Sequence, residues 1–521
     1  MPKPLHELMT RSAACRPDHP AVVCRDEVLT YGQLEARSGR LARVLADAGV
    51  GAGDRVAILM NKSVDCLTAI YGIMKAGAAY VPLDPTSPPR RQAFVLNDCG
   101  VRCLVTEPRK RAACVAAIGA GANVSALFGL PRGPDLPDVI GEWSGLEQGT
   151  FLTVPRGPGD LCYVLYTSGS TGTPKGIMHT HASATAWAET ATAAFGLTAD
   201  DRLSNYAPLH FDLSTLDLFG SALLGATMVM IPEEYARLPA SMAGLLARER
   251  VSVFYTVPYA LIQLVLQGGL DRHDFGALRW VLFGGEPMSV KHLAALMSLW
   301  PGARFANVYG PTETNGCTYY VLPGPPPADA ALPIGRLNDG AERLIVDEHM
   351  EAVEPGVSGE LLIRAPTAMR GYWNRPDLNA RVFFDPGDGR GVFVRTGDIV
   401  RETGDGVLEF HGRRDRLIKS RGNRVELDDV EAVLAACEFV EEAAVFARPD
   451  ASGSLVIHAA ATLLDGAEAG EAELRRHLKS HLPPYAQPAG LEIHASFPRT
   501  ATGKIDRRRL RDGPNEETIC R

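Results

Sequence analysis

Short apolar runs alternate with stretches of helical spacing along most of this chain, and that alternation limits the fold more than any other feature. Residues 39–49 (GRLARVLADAG) carry helical spacing, RVAILM at 55–60 is a short apolar run, VDCLTAIYGIMKAG is helical again, and VRCLVTE is another strand. Strands that are apolar throughout need cover on both faces, which helices between parallel strands supply. The chain therefore reads as an α/β protein. At 521 residues it is longer than one core normally uses, so two or more domains are expected.

Composition excludes several classes. A chain that is 46% hydrophobic is not disordered, and Lys+Arg 53 against Asp+Glu 61, net −8, leaves no basic surplus to neutralise a phosphate backbone. Nucleic acid is not an expected partner. Ten cysteines are scattered without a CxxC pair; the closest, Cys99 and Cys103, have the wrong spacing for the usual zinc or redox motifs, so they read as reduced thiols. The start lacks the long apolar core of a signal peptide, and no run of about 18 apolar residues occurs, so a soluble, cytoplasmic protein without a membrane partner is expected.

The Pro/Gly-rich passage from Gly129 to Asp160 reads as a surface connection. After Asp415 the pattern restarts with a helix around 427–437, strands near EEAAVFAR and SLVIHAAATLL, and a helix at 472–481. That is enough for a small α/β domain of about 100 residues.

From Leu161 to His181 the chain reads LCYVLYTSGSTGTPKGIMHTH: an apolar strand, then a hydroxyl- and glycine-rich loop, then a lysine. Such a loop can aim several backbone N–H groups and hydroxyls at phosphate oxygens, because glycine lets the backbone approach closely. It is not a P-loop, since Gly172 is followed by Thr173, Pro174 and Lys175 rather than by Lys-Ser/Thr. Alone, such a cluster reads more readily as a flexible surface turn.

Eight further stretches in fixed order decide the matter. They are LTYGQL (29–34), KAGAAYVPLDP (75–85), FDLSTLDLFG (211–220), NVYGPTET (307–314), GELLIRAPTAMRGYWNRP (359–376), RTGD (395–398), GRRDRLIKSRGNRVELDDVE (412–431) and RTATGKIDR (499–507). Together they resemble the amino-acid adenylation domains of nonribosomal peptide synthesis, within the adenylate-forming enzymes. The resemblance implies a large N-terminal domain (1–413) of stacked α/β sheets with a β-barrel-like subdomain, and a small mobile C-terminal α/β domain (414–521) carrying the catalytic lysine. It implies ATP and Mg²⁺, and a carboxylate that attacks the α-phosphorus, releases pyrophosphate and is passed to a thiol.

By that resemblance, Thr167, Ser168, Gly169, Ser170, Thr171 and Gly172 would cradle the β- and γ-phosphates, with Lys175 adding positive charge. Tyr309 would pack on adenine and Asn307 read its amino edge; Thr312 would contact the α-phosphate and Glu313 hold Mg²⁺, a hard cation suited to a carboxylate. Asp398 would accept from the ribose hydroxyls, supported by Arg413. Lys504 would bridge substrate carboxylate and α-phosphate; read alone, it belongs to a solvated charged tail. Asp415 would be the hinge, with Lys419 and Gly422 lining the second, thiol-accepting state. Leu417-Ile418 in place of the usual polar residue and valine, and RAPTAMRGY lacking a glycine before its second alanine, depart from the family pattern.

Asp212 matches the residue that pairs with a substrate's α-ammonium, which favours amino acids over plain acyl groups. The matching specificity positions are Asp212, Leu213, Leu216, Tyr255, Leu282, Gly284, Val308, Gly316, Cys317 and Lys504. Their lining is uncharged except at its two ends, which implies a small or medium apolar amino acid. The pattern is most like the stand-alone L-proline adenylating enzymes, which load a separate carrier protein. Gly284 and Gly316, where larger residues are expected, imply room for a substituted proline. No carrier-type serine site or condensation-type His-His pair occurs, so an acidic holo peptidyl carrier protein is expected in trans. An aryl- or fatty-acyl-CoA ligase and a catalytically silent scaffold are the alternatives.

Overall fold

The computed structural model describes residues 3–167, 173–327, 331–451, 453–464, 466–467, 469–500 and 505–512. The chain forms two compact units, one of Met1–Pro85, Gln92–Tyr166 and Gly176–Arg414, the other of Thr86–Arg91, Thr167–Lys175 and Asp415–Arg521.

Among the described residues the first unit contains a nine-stranded and an eight-stranded sheet. The centre of the nine-stranded sheet is parallel, running Arg304–Tyr309, Trp280–Gly284, Val253–Thr256, Arg202–Asn205, Thr227–Met230 and Pro20–Cys24, with antiparallel strands at both edges. The apolar run at 55–60 is the strand Arg55–Leu59, flanked in parallel by Ala79–Pro82 and Cys103–Thr106 in the eight-stranded sheet. One apolar cluster joins Val22 and Met230 of the first sheet to Ile58 and Tyr163 of the second through Leu41 and Ile70. The helices Tyr31–Asp47 and Val64–Lys75 therefore lie between the sheets.

Burial on all sides explains why Val64–Lys75 is apolar nearly all round. Ser63 caps it by accepting from the Cys66 N–H at 3.1 Å, and such a cap contributes about 1 kcal/mol. Gly72 lets the two helices touch: a Cβ there would stand 2.8 Å from Leu41 Cδ2. Its one buried cation, Lys75, donates to the Glu35 carboxylate (2.8 Å) and to the Glu35 carbonyl (3.1 Å), so the helix pair is also tied electrostatically.

The passage 129–160 is not only a connection. It contributes the strand Asp138–Gly141 at the edge of the eight-stranded sheet and the 3₁₀ turn Trp143–Glu147. An edge strand needs only a few buried side chains, here Val139, so its apolar signal is drowned by the surrounding Gly and Pro. The β-rich part of this unit is an antiparallel five-stranded sheet built from Glu342–Val346, Gly359–Arg364, Phe383–Phe384, Phe393–Glu402 and Leu408–Arg413.

In the second unit, the hairpin Leu417–Ser420/Asn423–Glu426 leads into the helix Leu427–Ala435. Its two-residue turn has positive φ at both positions, Arg421 (52°) and Gly422 (81°), the geometry that matches strand twist. The strands Val440–Pro449, Leu455–Leu463 and Gly490–Ile493 pack through Val445 and Ile457 against Val430 and Leu434, and the helix Glu471–His481 adds Leu474 and Leu478. No helix of the described residues is long and apolar enough to cross a membrane.

Candidate active site

At the C-terminal ends of the central parallel strands, where open α/β sheets hold ligands, a pocket opens to solvent. Asp212, Leu213, Tyr255, Val308 and Gly316 line it, together with Trp187, Gly285, Gly310 and Asn315. The Asp212 carbonyl accepts from the Thr215 N–H (2.9 Å) and hydroxyl (2.6 Å), so a tight turn fixes this backbone independently of the carboxylate. Burial, then the neighbouring Asp212 charge, pushes the Tyr255 phenol well above its usual range. It is therefore a neutral wall.

Leu216 and Leu282 pack behind the pocket in the same cluster as Trp187, Tyr255 and Val308. Cys317 does not face it; the thiol is buried with Tyr309 and Ile334 in a different cluster. Gly284 and Gly316 do not leave the room expected of them. A Cβ on Gly284 would lie 2.1 Å from the Val308 carbonyl oxygen of the adjoining strand, and one on Gly316 would lie 2.2 Å from Cη2 of Trp187. Both spaces are already filled.

Residues 307–315 run from the end of the strand Arg304–Tyr309 into a turn closed by Asn315 at φ 53°. The Asn307 amide nitrogen donates to the Pro333 carbonyl at 2.8 Å. The Tyr309 hydroxyl and the Arg413 guanidinium donate to opposite oxygens of Asp398, and Arg413 also donates to the Thr396 carbonyl at 3.2 Å. Asp398 is buried, and its charge is balanced by Arg413. Burial, reinforced by Asp398, raises the Tyr309 phenol well above its usual range.

Glu313 is buried and held from two sides: Tyr372 OH donates to its carboxylate at 2.8 Å, and the Met369 N–H donates to its carbonyl at 2.8 Å. Thr312 is fixed through its carbonyl, 2.9 Å from His179 Nε2. Burial pulls His179 down to about 4, so the ring is neutral near pH 7. A carbonyl only accepts, which places the proton on Nε2 and leaves Nδ1 to accept from Ser183 (3.2 Å) and the Asn315 amide (3.3 Å). Among the described residues no cluster of three or more His, Cys, Asp or Glu could cage a metal.

Thr167 ends the strand Leu161–Thr167 and Lys175 begins the strand Lys175–Thr180. Ser168, Gly169, Ser170, Thr171 and Gly172 between them lie outside the described residues, as does Lys504. In the second unit, exposed Asp415 accepts from the Leu417 N–H at 3.3 Å, and Lys419 pairs in register with Arg424 across the hairpin that Gly422 turns.

The AMP-binding enzyme family matches residues 9–373, and the C-terminal domain of AMP-binding enzymes matches residues 429–504. This chain is an AMP-binding enzyme. It is 35% identical over 516 residues to an L-proline–(L-prolyl-carrier protein) ligase of Pseudomonas fluorescens, covering 97% of this chain and 98% of that one. It is 37% identical over 505 residues to the ligase of the same name from Streptomyces coelicolor, covering 94% and 93%. Among solved structures, the amide bond synthetase McbA from Marinactinospora thermotolerans superposes with a TM-score of 0.86 at 26% identity, over 98% of this chain and 99% of that one.

For this AMP-binding enzyme, sequence reasoning missed Trp187, His179, Asn315 and Tyr372. Trp187, inside the helix His181–Ala194, is far in sequence from the turn it touches and nothing local marks it; His179 stands in the quoted stretch 161–181, on the strand Lys175–Thr180, but nothing there says that it meets Thr312. Tyr372 could have been found, because it stands inside the quoted stretch 359–376, two residues from the Arg370 that hydrogen-bonds the Met178 carbonyl through its backbone.

Proposed function

We propose that this AMP-forming ligase activates L-proline as prolyl-AMP and transfers it to the phosphopantetheine thiol of an acidic peptidyl carrier protein acting in trans, within the cytoplasm. Asp212 at the edge of an otherwise uncharged pocket carries the reading. A carboxylate there favours a ligand with an ammonium beside its carboxyl group, and the apolar walls of Trp187, Leu213, Tyr255 and Val308 favour an apolar ring. Two relatives that match nearly end to end are named as ligases for proline on its carrier.

In the first half-reaction a carboxylate oxygen of proline forms a bond to the α-phosphorus of ATP and the bond to pyrophosphate breaks. Tyr309 offers adenine its face. The Asn307 nitrogen is committed to Pro333, so Oδ1 is the atom to accept from the adenine amino group. Asp398 keeps lone pairs for the ribose hydroxyls beyond those used by Tyr309 and Arg413, since a carboxylate has about four acceptor sites. Thr312, pinned by His179, meets the α-phosphate, and the loop 167–172 with Lys175 holds the departing pyrophosphate. Glu313 is the residue to hold Mg²⁺, which neutralises phosphate charge; a single carboxylate fits an ion that keeps waters and phosphate oxygens as its other ligands. Lys504 offsets the charge of two approaching anions. In the second half-reaction the thiol sulfur attacks the prolyl carbonyl and AMP leaves, with the domain from 414 onward turning about Asp415 to bring Lys419 and Gly422 to the site.

Pyrophosphate exchange across a panel of amino and aryl acids, followed by loading of a holo carrier, tests this. L-Proline is expected to lead, and a prolyl thioester to form on the carrier. A preference for an aryl acid, or for leucine or D-alanine over every cyclic imino acid, overturns the substrate; faster acylation of free CoA overturns the carrier.

A further inference from the structure

We propose that Trp187 and Gly316 are a matched pair in which the indole, supplied by a helix, is the wall that sets the largest side chain the pocket accepts; this rests on the amino-acid reading above. Trp187 lies one and a half turns into the helix His181–Ala194, whose first turn is held by a reciprocal cap between Thr180 and Ser183. Its side chain is buried among Leu213, Leu216, Tyr255 and Val308 and borders the pocket. A Cβ at 316 would meet three atoms of its six-membered ring, at 2.2, 2.5 and 3.0 Å.

Two features show that the glycine exists for the tryptophan. Gly316 is not among the residues with positive φ, so its backbone accepts any L-residue and conformation does not demand glycine there. Nor can the contact relax easily. The facing atoms belong to a rigid ring, and the Gly316 carbonyl is tied by the Asn338 amide at 2.7 Å. Volume that a side chain on the 310–316 turn would fill is filled from the opposite side instead. Specificity then lies in a residue 129 positions earlier in the chain, outside the motifs that carry the rest of the pocket.

The test combines two readouts on Trp187→Leu, the milder Trp187→Phe, Gly316→Ala and the double variant Trp187→Leu/Gly316→Ala. In pyrophosphate exchange, Trp187→Leu should raise kcat/KM for pipecolate or a 4-substituted proline relative to proline by at least about tenfold, the lower end of what one methylene in an apolar pocket is worth. Trp187→Phe should shift the ratio the same way by less, with KM for ATP unchanged in both. Gly316→Ala alone should lose proline activation and melt earlier, while the same substitution in the Trp187→Leu background should do neither, a coupling that independent sites do not give. An unchanged substrate ratio in both Trp187 variants, or Gly316→Ala tolerated beside an intact Trp187, overturns the proposal. If the wild type exchanges with no amino acid, the function reading fails by itself; the melting cycle still decides the pair, and additive melting shifts refute it.

Discussion

Replacing Asp212 by Asn removes one charge from the pocket and keeps the size and shape of the side chain. The turn that presents it is closed through its backbone carbonyl by Thr215, so the isosteric amide should leave the loop in place and the melting temperature within a degree or two. What is lost is the attraction between carboxylate and bound ammonium. At about 4 Å and an effective dielectric near 20 that attraction is about 4 kcal/mol. Asp212 is only half-buried, so water screens part of it, and about 2–4 kcal/mol is the figure to expect. At roughly 1.4 kcal/mol per tenfold, kcat/KM for proline should fall roughly 30- to 900-fold. KM for ATP should stay within twofold, because Asp398, Arg413 and Tyr309 are untouched. Cyclopentanecarboxylate, which lacks the ammonium, serves as the control, and the variant should discriminate against it far less than the wild type does. A loss of proline activity under tenfold, or an equal loss in ATP binding, would refute the reasoning and favour a CoA ligase.

Acid should unfold the protein through three buried rings. Burial holds His6 at about 3 and His179 and His181 at about 4. The unfolded chain takes up these protons below about pH 6.5 and the folded chain does not, so stability present above 6.5 is lost as pH falls toward 4, at about 1.4 kcal/mol per pH unit for each ring. His6 has no hydrogen-bond partner for either ring nitrogen, so His6→Phe should flatten that slope in urea melts; an unchanged slope counts against it. Lys504→Ala should lose about a hundredfold in adenylate formation, as expected for one transition-state donor, yet still load a carrier from synthetic prolyl-adenylate. Gly422→Val should do the reverse, and a loss of both half-reactions in either variant argues against an alternating small domain.

The layers of this fold are legible because parallel strands covered on both faces must be apolar throughout, as Arg55–Leu59 and Cys103–Thr106 are, while the helix between them repeats its own period. The strand Asp138–Gly141 escaped notice for the opposite reason, having one buried face at a sheet edge. At the site, Asp212, Tyr309, Glu313 and Asp398 stand out in the sequence because their motifs are local: Tyr309 ends a strand, Glu313 follows it in the turn, Asp212 sits in a turn of its own, and Asp398 lies within the strand Phe393–Glu402. Trp187 and His179 are not, since an apolar residue or a histidine on a helix or strand does not say which distant turn it meets. Gly316 misleads on the same ground: a missing side chain signals space only if nothing crosses from the other side, and here Trp187 does.

Pairing across the nine-stranded sheet also sets a timetable for synthesis. Val22 lies beside Met228, and the strand Pro20–Cys24 touches its parallel neighbour only once residues 227–230 have been made. At a translation rate of about 5–20 residues per second, this leaves an apolar strand waiting roughly 10–40 s for its permanent partner. In that interval only the short antiparallel ribbon with Glu27–Thr30 can occupy one of its edges. The nascent chain thus carries an open, valine-bearing edge while the roughly 200 residues between the two strands are made. Yield in a foreign host should respond to growth temperature and to holdase chaperones far more than the melting temperature of the finished enzyme would suggest.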